Sequence, residues 1–174
     1  KRLLPMEECI ELMASVLADL ARGNVWHPLR FVIRPPDEPS LMGLMPAHRS
    51  APEAAYGLKV ICIFPENPER GLDAHQGGVL LFDGETGTPR ALLDASAVTE
   101  IRTAAVSGVA TRLLARDDAR ELAILGSGVQ ARSHLEAMAK VRPFARARVW
   151  SRTPEHAGAF AAEAAAPFPV EAVA

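Results

Sequence analysis

The chain has 174 residues, of which 49% are hydrophobic and 23% are charged, a balance typical of a globular domain. Its formal net charge of −2 at pH 7 offers no positive surface, so neither nucleic acid nor a membrane is predicted as a partner. No apolar run approaches the roughly 18 residues of a membrane span, and no signal peptide is visible. Cys9 and Cys62 are isolated, which predicts no metal site, no disulfide, and reduced thiols in a cytoplasmic protein.

The first half of the chain predicts one helix followed by several strands. Apolar residues recur at helical spacing over residues 5–21, and Gly23 can end that helix. Strands are predicted at residues 29–33, 41–45, 56–64, 78–82 and 89–93, of which the last two form a hairpin. Because no helical pattern separates these strands, they predict an antiparallel α+β domain. A helix over residues 96–115, capped by Ser96 and rich in small residues, is predicted to link this domain to the rest.

Residues 121–131 are the most informative segment, because an apolar strand there runs into Gly-Ser-Gly-Val-Gln-Ala and then into a helical pattern over residues 129–141. Gly126 permits a sharp turn, Gly128 lets phosphates approach the backbone, and Ala131 lets the helix pack closely. The first amides of the helix then point at the diphosphate of a dinucleotide. The alternative is a tight strand-to-helix turn that binds no ligand.

Residues 146–150 predict a second strand, and Thr153 with Pro154 predicts the start of a helix reaching about residue 166. A third strand is predicted within residues 168–174. The tip of the second strand carries Ser151, Arg152 and Thr153, with no carboxylate for the ribose hydroxyls of NAD(H). We therefore predict a preference for NADP(H), with NAD(H) possible. The alternative makes Arg152 an ordinary solvated turn residue.

These elements predict an α/β fold of two domains. Residues 116–174 form a Rossmann-type nucleotide-binding domain, and residues 1–115 form the antiparallel α+β domain with its linking helix. Three strands leave a doubly wound sheet incomplete on its C-terminal side, so we expect the 174 residues to belong to a longer chain.

Four polar side chains are candidates for a site. Lys59 lies in an otherwise apolar strand, where it either reaches solvent at a sheet edge or meets a buried anion. Arg102, in the early turns of the linking helix, can bind a carboxylate or phosphate with its planar fork. Arg30 alone is an ordinary surface arginine. His75 contacts a coenzyme phosphate, donates a proton, or is a plain loop histidine.

With these residues in place, the chain resembles the ornithine cyclodeaminase/mu-crystallin family. The matching segments, in family order, are Leu44-Met-Pro46, Gly57-Leu-Lys59, Phe64-Pro-Glu-Asn67, Gly71-Leu72, His75-Gln76, Val79-Leu-Leu-Phe82, Gly87-Thr-Pro89, Ile101-Arg-Thr-Ala-Ala105 and Gly126-Ser-Gly-Val-Gln-Ala131. The resemblance implies a homodimer, built from a substrate and dimerisation domain and a nucleotide domain. It also implies a small amino or imino acid bound next to the nicotinamide.

The resemblance implies roles for single residues. The substrate site would consist of Arg30, Met45, Lys59 and Arg102, with both arginines and Lys59 on the α-carboxylate and Lys59 as the catalytic proton donor. The coenzyme site would consist of His75, Arg102, Thr103, Gly126, Gly128, Val129, Gln130, Ser151, Arg152 and Thr153.

Ser151 stands where family members that use NAD for cyclodeamination tend to carry an acidic residue, which looks closer to the ketimine-reducing branch. We therefore expect NAD(P)H-dependent reduction of an α-imino acid, such as pyrroline-2-carboxylate or piperideine-2-carboxylate. The alternatives are an amino-acid cyclodeaminase, an alanine-dehydrogenase-like enzyme, and a coenzyme-binding protein of low turnover. The aspartate that the family uses in ornithine chemistry is expected beyond residue 174.

Overall fold

A computed structural model describes residues 3–174 of the chain. The described residues form two compact units. Val16–Thr99 make up one, which we name the antiparallel unit. The residues up to Ser15 together with Glu100–Ala174 make up the other, which we name the parallel unit. Two helices, α1 (Met6–Ala21) and α2 (Ala95–Leu114), contribute residues to both.

The antiparallel unit contains a six-stranded sheet. Its strands are β1 (Val25–Trp26), β2 (Phe31–Ile33), β3 (Leu41–Arg49), β4 (Ala55–Ile63), β5 (His75–Asp83) and β6 (Pro89–Asp94). The order is β1-β3-β4-β5-β6, with β2 also paired to β3. Every pairing is antiparallel, which confirms the predicted class of this half of the chain.

Four strands differ from the predicted ones by more than one residue. β1 is additional, β2 begins at Phe31 rather than at residue 29, β3 continues well past residue 45, and β5 begins at His75 rather than at residue 78. Arg30, predicted within the second of these strands, therefore lies just before it. β3 passes through Pro46, whose missing N–H is tolerated because β2 pairs with residues 42–44 and β1 with residues 48–49. Pro46 therefore lies between the residues of β3 that pair with β2 and those that pair with β1. Since His75 lies in a strand, its interpretation as a loop histidine is wrong.

The β5–β6 hairpin is closed by the carboxylate of Asp83. Its Oδ1 accepts hydrogen bonds from the backbone N–H groups of Glu85 at 3.1 Å and Thr86 at 2.8 Å, and its Oδ2 accepts one from Arg90 at 2.5 Å. The Arg90 hydrogen bond, followed by those from the turn, lowers the pKa of the Asp83 carboxyl below its ordinary value. The ionised form therefore stabilises the hairpin.

Asp83→Asn is expected to weaken the pH dependence of unfolding in acid. Because the pKa of Asp83 is lower in the folded chain than in the unfolded chain, its contribution is present above about pH 4 and is lost as the pH falls toward the folded pKa. Urea unfolding at about pH 7 and about pH 3 should differ less for Asp83→Asn than for the parent. Equal differences for the parent and Asp83→Asn would contradict the prediction.

The parallel unit contains a three-stranded parallel sheet. Its elements are β7 (Glu121–Leu125), α3 (Val129–Val141), β8 (Arg146–Trp150), α4 (Pro154–Glu163) and β9 (Val170–Ala172), and the strand order is β7-β8-β9. Leu135 of α3 and Phe160 of α4 are buried in one apolar cluster with Ile124 and Val149 of the sheet. This alternation of strands and helices confirms the predicted α/β half of the fold.

The small residues of α2 allow it to pack against another helix. Ala104 and Ala105 are fully buried in one cluster with Ile10 of α1. A Cβ on Gly108 would lie 3.3 Å from Ile10 Cδ1, so a larger residue would press on α1. This packing joins residues 100–114 to the parallel unit, whose second segment begins at Glu100. The domain boundary at residue 115 stays a prediction.

Helix ends differ from the predicted ones at two places. Asp94, not Ser96, caps α2, because Asp94 Oδ1 accepts from the backbone N–H of Ala97 at 2.6 Å. Ser96 Oγ instead donates to the backbone carbonyl of His75 at 3.0 Å. Helix α4 ends at Glu163 rather than near residue 166, shortly before two prolines.

Within residues 3–174, no helix has both the length and the apolar composition needed to cross a membrane.

Candidate active site

The turn between β7 and α3 needs glycine at residue 126. Gly126 has a φ of +115°, which side chains other than glycine rarely adopt. Its backbone N–H donates to the carbonyl of Trp150 at 2.7 Å, at the end of the neighbouring strand β8. Ala131, one turn into α3, packs against the apolar cluster of the sheet. Gly126 and Ala131 therefore have the places that the dinucleotide-binding motif requires.

Gly128 opens the first turn of α3 without needing to be glycine for the fold. Its φ of −80° and ψ of −171° are extended backbone that any residue adopts, and a Cβ there would meet nothing within 4 Å. Gly128 is the N-cap residue of α3, and as a glycine it has no side chain to accept hydrogen bonds from the helix. The backbone N–H groups of Val129 and Gln130 belong to the first turn, where an α-helix supplies no acceptor. All three residues are exposed. The turn therefore fits an anionic ligand at close range, as the diphosphate of a dinucleotide requires.

The tip of β8 lies beside this turn. Ser127 Oγ donates to Ser151 Oγ at 3.2 Å, which joins the glycine turn to the residue after β8. Arg152 and Thr153 follow and are exposed. Thr153 is the N-cap residue of α4, as predicted, but its side chain makes no cap hydrogen bond. Residues 151–153 thus follow β8 directly, and the first of them contacts the glycine turn.

Met45 and Lys59 lie opposite one another in the antiparallel sheet, where they are register partners on β3 and β4. Register partners point to the same face of a sheet, so these two side chains share a face. Arg30 directly precedes β2, whose first residue, Phe31, is the register partner of Leu44 on β3. The structure thus pairs Met45 with Lys59, and it places Arg30 at the end of a neighbouring strand.

Lys59 lies in the interior of the sheet. Its strand β4 pairs with β3 on one side and β5 on the other, so the interpretation of Lys59 as an edge lysine is wrong. The residue is half-buried between Met45 and Val79 on the neighbouring strands. Its Nζ donates a hydrogen bond to Thr99 Oγ1 in the first turns of α2.

The remaining predicted site residues outside the glycine turn and the tip of β8 are His75, Arg102 and Thr103. His75 is exposed at the start of β5, four residues from Val79, the register partner of Lys59, and so about 13 Å away along the strand. Arg102 is exposed and Thr103 is half-buried on the part of α2 that belongs to the parallel unit. Among the described residues, no group of three or more His, Cys, Asp or Glu side chains is arranged to hold a metal ion.

Sequence reasoning missed Thr99. Nothing in the pattern of residues 96–115 distinguishes its hydroxyl from the other small polar groups of that helix. Its contact with Lys59 joins residues 40 positions apart, so only the fold brings them together.

The model of the family "Ornithine cyclodeaminase/mu-crystallin family" matches residues 1–174. A Δ1-pyrroline-2-carboxylate reductase from Bacillus cereus is 39% identical over 161 residues, which are 92% of this chain and 49% of that protein. The ketimine reductase mu-crystallin of Mus musculus is 38% identical over 152 residues, covering 86% of this chain and 48% of that protein. The chain thus spans about half the length of the curated relatives it matches.

Two solved structures extend the comparison to the fold. The Thermococcus litoralis Δ1-pyrroline-2-carboxylate reductase, in complex with NADH and L-proline, has a TM-score of 0.90 at 35% identity, over 98% of this chain and 53% of that one. A lysine cyclodeaminase has a TM-score of 0.82 at 38% identity, over 97% of this chain and 49% of that one. Matches of this extent confirm the resemblance inferred from the motifs. The chain belongs to the ornithine cyclodeaminase/mu-crystallin family.

Proposed function

We propose that this chain forms part of an enzyme that reduces a small cyclic α-imino acid with a reduced nicotinamide coenzyme. The substrate class is that of pyrroline-2-carboxylate and piperideine-2-carboxylate. The observation that carries the proposal is the similarity, over 98% of the chain, to a reductase whose structure holds NADH and L-proline. L-proline is what reduction of pyrroline-2-carboxylate yields, so that complex pairs a coenzyme with a product of this class.

Lys59 and Arg30 would hold the α-carboxylate of the substrate, and Met45, the register partner of Lys59, would line the same site. We assign Arg102 to the same carboxylate on the family resemblance. Reduction adds a hydride to the C=N carbon and a proton to the nitrogen; the nicotinamide, when bound, supplies the hydride. The ammonium of Lys59 would hydrogen-bond the carboxylate or the imine nitrogen and supply the proton. The protein's part is therefore placement and charge.

The coenzyme would be held mainly by the glycine turn and the tip of β8. Its diphosphate would lie at the first turn of α3, and its adenosine end at the residues after β8. The proposed residues are His75, Arg102, Thr103, Gly126, Gly128, Val129, Gln130, Ser151, Arg152 and Thr153. Since residues 151–153 carry an arginine and no carboxylate, we propose that NADP(H) binds more tightly than NAD(H).

We further propose a cytoplasmic homodimer with a substrate and dimerisation domain over residues 1–115 and a nucleotide domain over residues 116–174. The antiparallel unit exposes large apolar side chains that a partner subunit can cover. Among them, Trp26, Phe31 and Leu92 are 66%, 64% and 73% exposed.

The second candidate function is an amino-acid cyclodeaminase. It is favoured by the 38% identity to a lysine cyclodeaminase that is described as recognising L-lysine, L-ornithine and L-2,4-diaminobutyric acid. Binding of the substrate carboxylate by Lys59 and Arg30 would serve this reaction equally well. The substrate of the reductase is an α-imino acid and that of the cyclodeaminase an α-amino acid, so both carry an α-carboxylate.

A coupled assay separates these functions. The reductase consumes NADPH with pyrroline-2-carboxylate or piperideine-2-carboxylate and releases no ammonia from L-ornithine or L-lysine. A cyclodeaminase releases ammonia without net consumption of coenzyme, an alanine-dehydrogenase-like enzyme consumes NADPH with pyruvate and ammonia, and a low-turnover binder does neither. In the same preparation, the dissociation constants of NADPH and NADH are compared, and tighter binding of NADH would refute the proposed preference.

A further inference from the structure

We infer that Thr99 is a positioning residue that sets the direction of the Lys59 ammonium on the substrate face of the sheet. The inference rests on the proposed role of Lys59 and adds to it a residue outside the predicted site. All of the groups concerned lie in the antiparallel unit, Val16–Thr99.

The strands on either side of Lys59 offer it no polar side chain in its own row. Its register partners are Met45 on β3 and Val79 on β5, and both side chains are apolar. The lysine side chain has four rotatable carbon–carbon and carbon–nitrogen bonds, so a strand position alone does not define where its ammonium lies. Thr99 of α2, which lies outside the sheet, accepts a hydrogen bond from this ammonium.

The hydroxyl of Thr99 is oriented so that it accepts from Lys59. Its single proton is donated to the backbone carbonyl of Ala95 at 2.5 Å, one turn earlier in α2. A hydroxyl whose proton is engaged has its lone pairs left for an incoming donor. The Nζ of Lys59 is that donor. The contact therefore has a defined direction, from the ammonium through the hydroxyl to the helix backbone.

The helical turn that carries Thr99 is itself fixed to the sheet. Asp94 caps it through the N–H of Ala97 at 2.6 Å, and Ser96 Oγ donates to the carbonyl of His75 on β5 at 3.0 Å. Ala95, whose carbonyl receives the Thr99 proton, is 1% exposed. Thr99 is thus presented to Lys59 by a buried turn with its own contacts to the sheet.

A hydroxyl at residue 99 leaves the positive charge of Lys59 available for an anion, whereas a carboxylate there would neutralise it. Thr99 is neutral, so it directs the ammonium without cancelling its positive charge. An aspartate or glutamate in place of Thr99 would compete with the substrate carboxylate for the same charge.

The test compares Thr99→Val, which keeps the shape and removes the hydroxyl, with Thr99→Ser, which keeps the hydroxyl. With a cyclic imino acid and saturating coenzyme, Thr99→Val is expected to lower kcat about tenfold, the effect of one lost hydrogen bond to a charged group. The KM of the imino acid and the dissociation constant of the coenzyme should change less than about threefold. Thr99→Ser should restore kcat to within about threefold of the parent. Thr111→Val, on the same helix, is the matched control and should leave kcat unchanged.

A double-mutant cycle separates positioning from a structural role. If Thr99 acts through Lys59, then Lys59→Ala with Thr99→Val is no slower than Lys59→Ala alone. If the losses of kcat in the two single variants multiply in the double variant, the inference is overturned. It is also overturned if the kcat of Thr99→Val equals that of the parent.

A spectroscopic readout keeps this test independent of the proposed reaction. The ¹H–¹³Cε signal of Lys59, identified by its loss in Lys59→Ala, should shift in Thr99→Val and return toward the parent position in Thr99→Ser. An unshifted signal overturns the positioning role, whether or not imino acids are reduced. A protein that turns over no imino acid but shows the shift refutes the proposed function and supports the contact.

Discussion

Lys59→Ala is expected to lower kcat for reduction of a cyclic imino acid by about 10²- to 10³-fold, the range for loss of a general acid or of a charge that stabilises the transition state. The coenzyme dissociation constant should stay within about twofold, because Lys59 is not among the residues proposed to hold the coenzyme. Steady-state kinetics with pyrroline-2-carboxylate and a coenzyme titration measure the two quantities.

Lys140→Ala is the matched control for this substitution. Lys140 lies near the end of α3, its side chain is 43% exposed, and it pairs with Glu7 at 3.0 Å. An exposed pair of this kind contributes little to stability, so the variant should retain the parent's kcat. Lys59→Met keeps an apolar stem inside the sheet and removes the ammonium, so it controls for a loss of kcat that is caused by altered packing. Its kcat should be as low as that of Lys59→Ala. Parent-like turnover in Lys59→Met would remove Lys59 from the mechanism.

Local patterns were sufficient to predict the segment around the glycine turn. β7, α3 and β8 lie where the alternation of apolar runs, glycines and helical spacing placed them. Each of these elements is defined by residues close together in the chain, such as Gly126 with its positive φ at the end of β7. The dinucleotide motif carries its own turn chemistry, so little tertiary information was needed.

The position of Lys59 within the sheet shows what such patterns omit. Alternation correctly predicts a strand around residue 59, but whether that strand is central or at an edge depends on β3 and β5, which pair with it from elsewhere in the chain. The sequence therefore left the edge interpretation open, and the sheet order excludes it. The pairing of β2 with β3, which places Phe31 opposite Leu44, needed the same information.

The start of α2 was misplaced because two capping residues compete there. Asp94 and Ser96 both have side chains that cap helices well. Which of them becomes the N-cap depends on where the preceding strand ends, and the sequence does not define that residue. In the structure β6 ends at Asp94, so the helix starts directly afterwards and Ser96 is released to bond β5. Thr99 could be recognised only after this turn was placed against β4.

Gly128→Ala is expected to weaken coenzyme binding about 10-fold and Gly128→Val about 100-fold, which corresponds to an overpacking cost of about 1–3 kcal/mol at the ligand. The physical reason is that a Cβ at this residue has nothing within 4 Å in the protein and an ordinary backbone conformation. The fold does not need glycine there, whereas a diphosphate approaching the first turn of α3 does. Fluorescence titration with NADPH measures the loss.

Thermal unfolding of the same variants distinguishes a blocked ligand from a damaged turn. Gly128→Ala should lower stability by no more than about 1 kcal/mol, the difference between glycine and alanine at a helix N-cap. Gly126→Ala should be less stable than Gly128→Ala, because its φ of +115° imposes a backbone cost of about 1–3 kcal/mol on a side-chain residue. Gly158→Ala, in the middle of α4 with open space around its Cβ, is the control and should leave coenzyme binding unchanged. A Gly128→Val protein that is stable and still binds NADPH as the parent does would mean that this turn joins a strand to a helix and holds no dinucleotide.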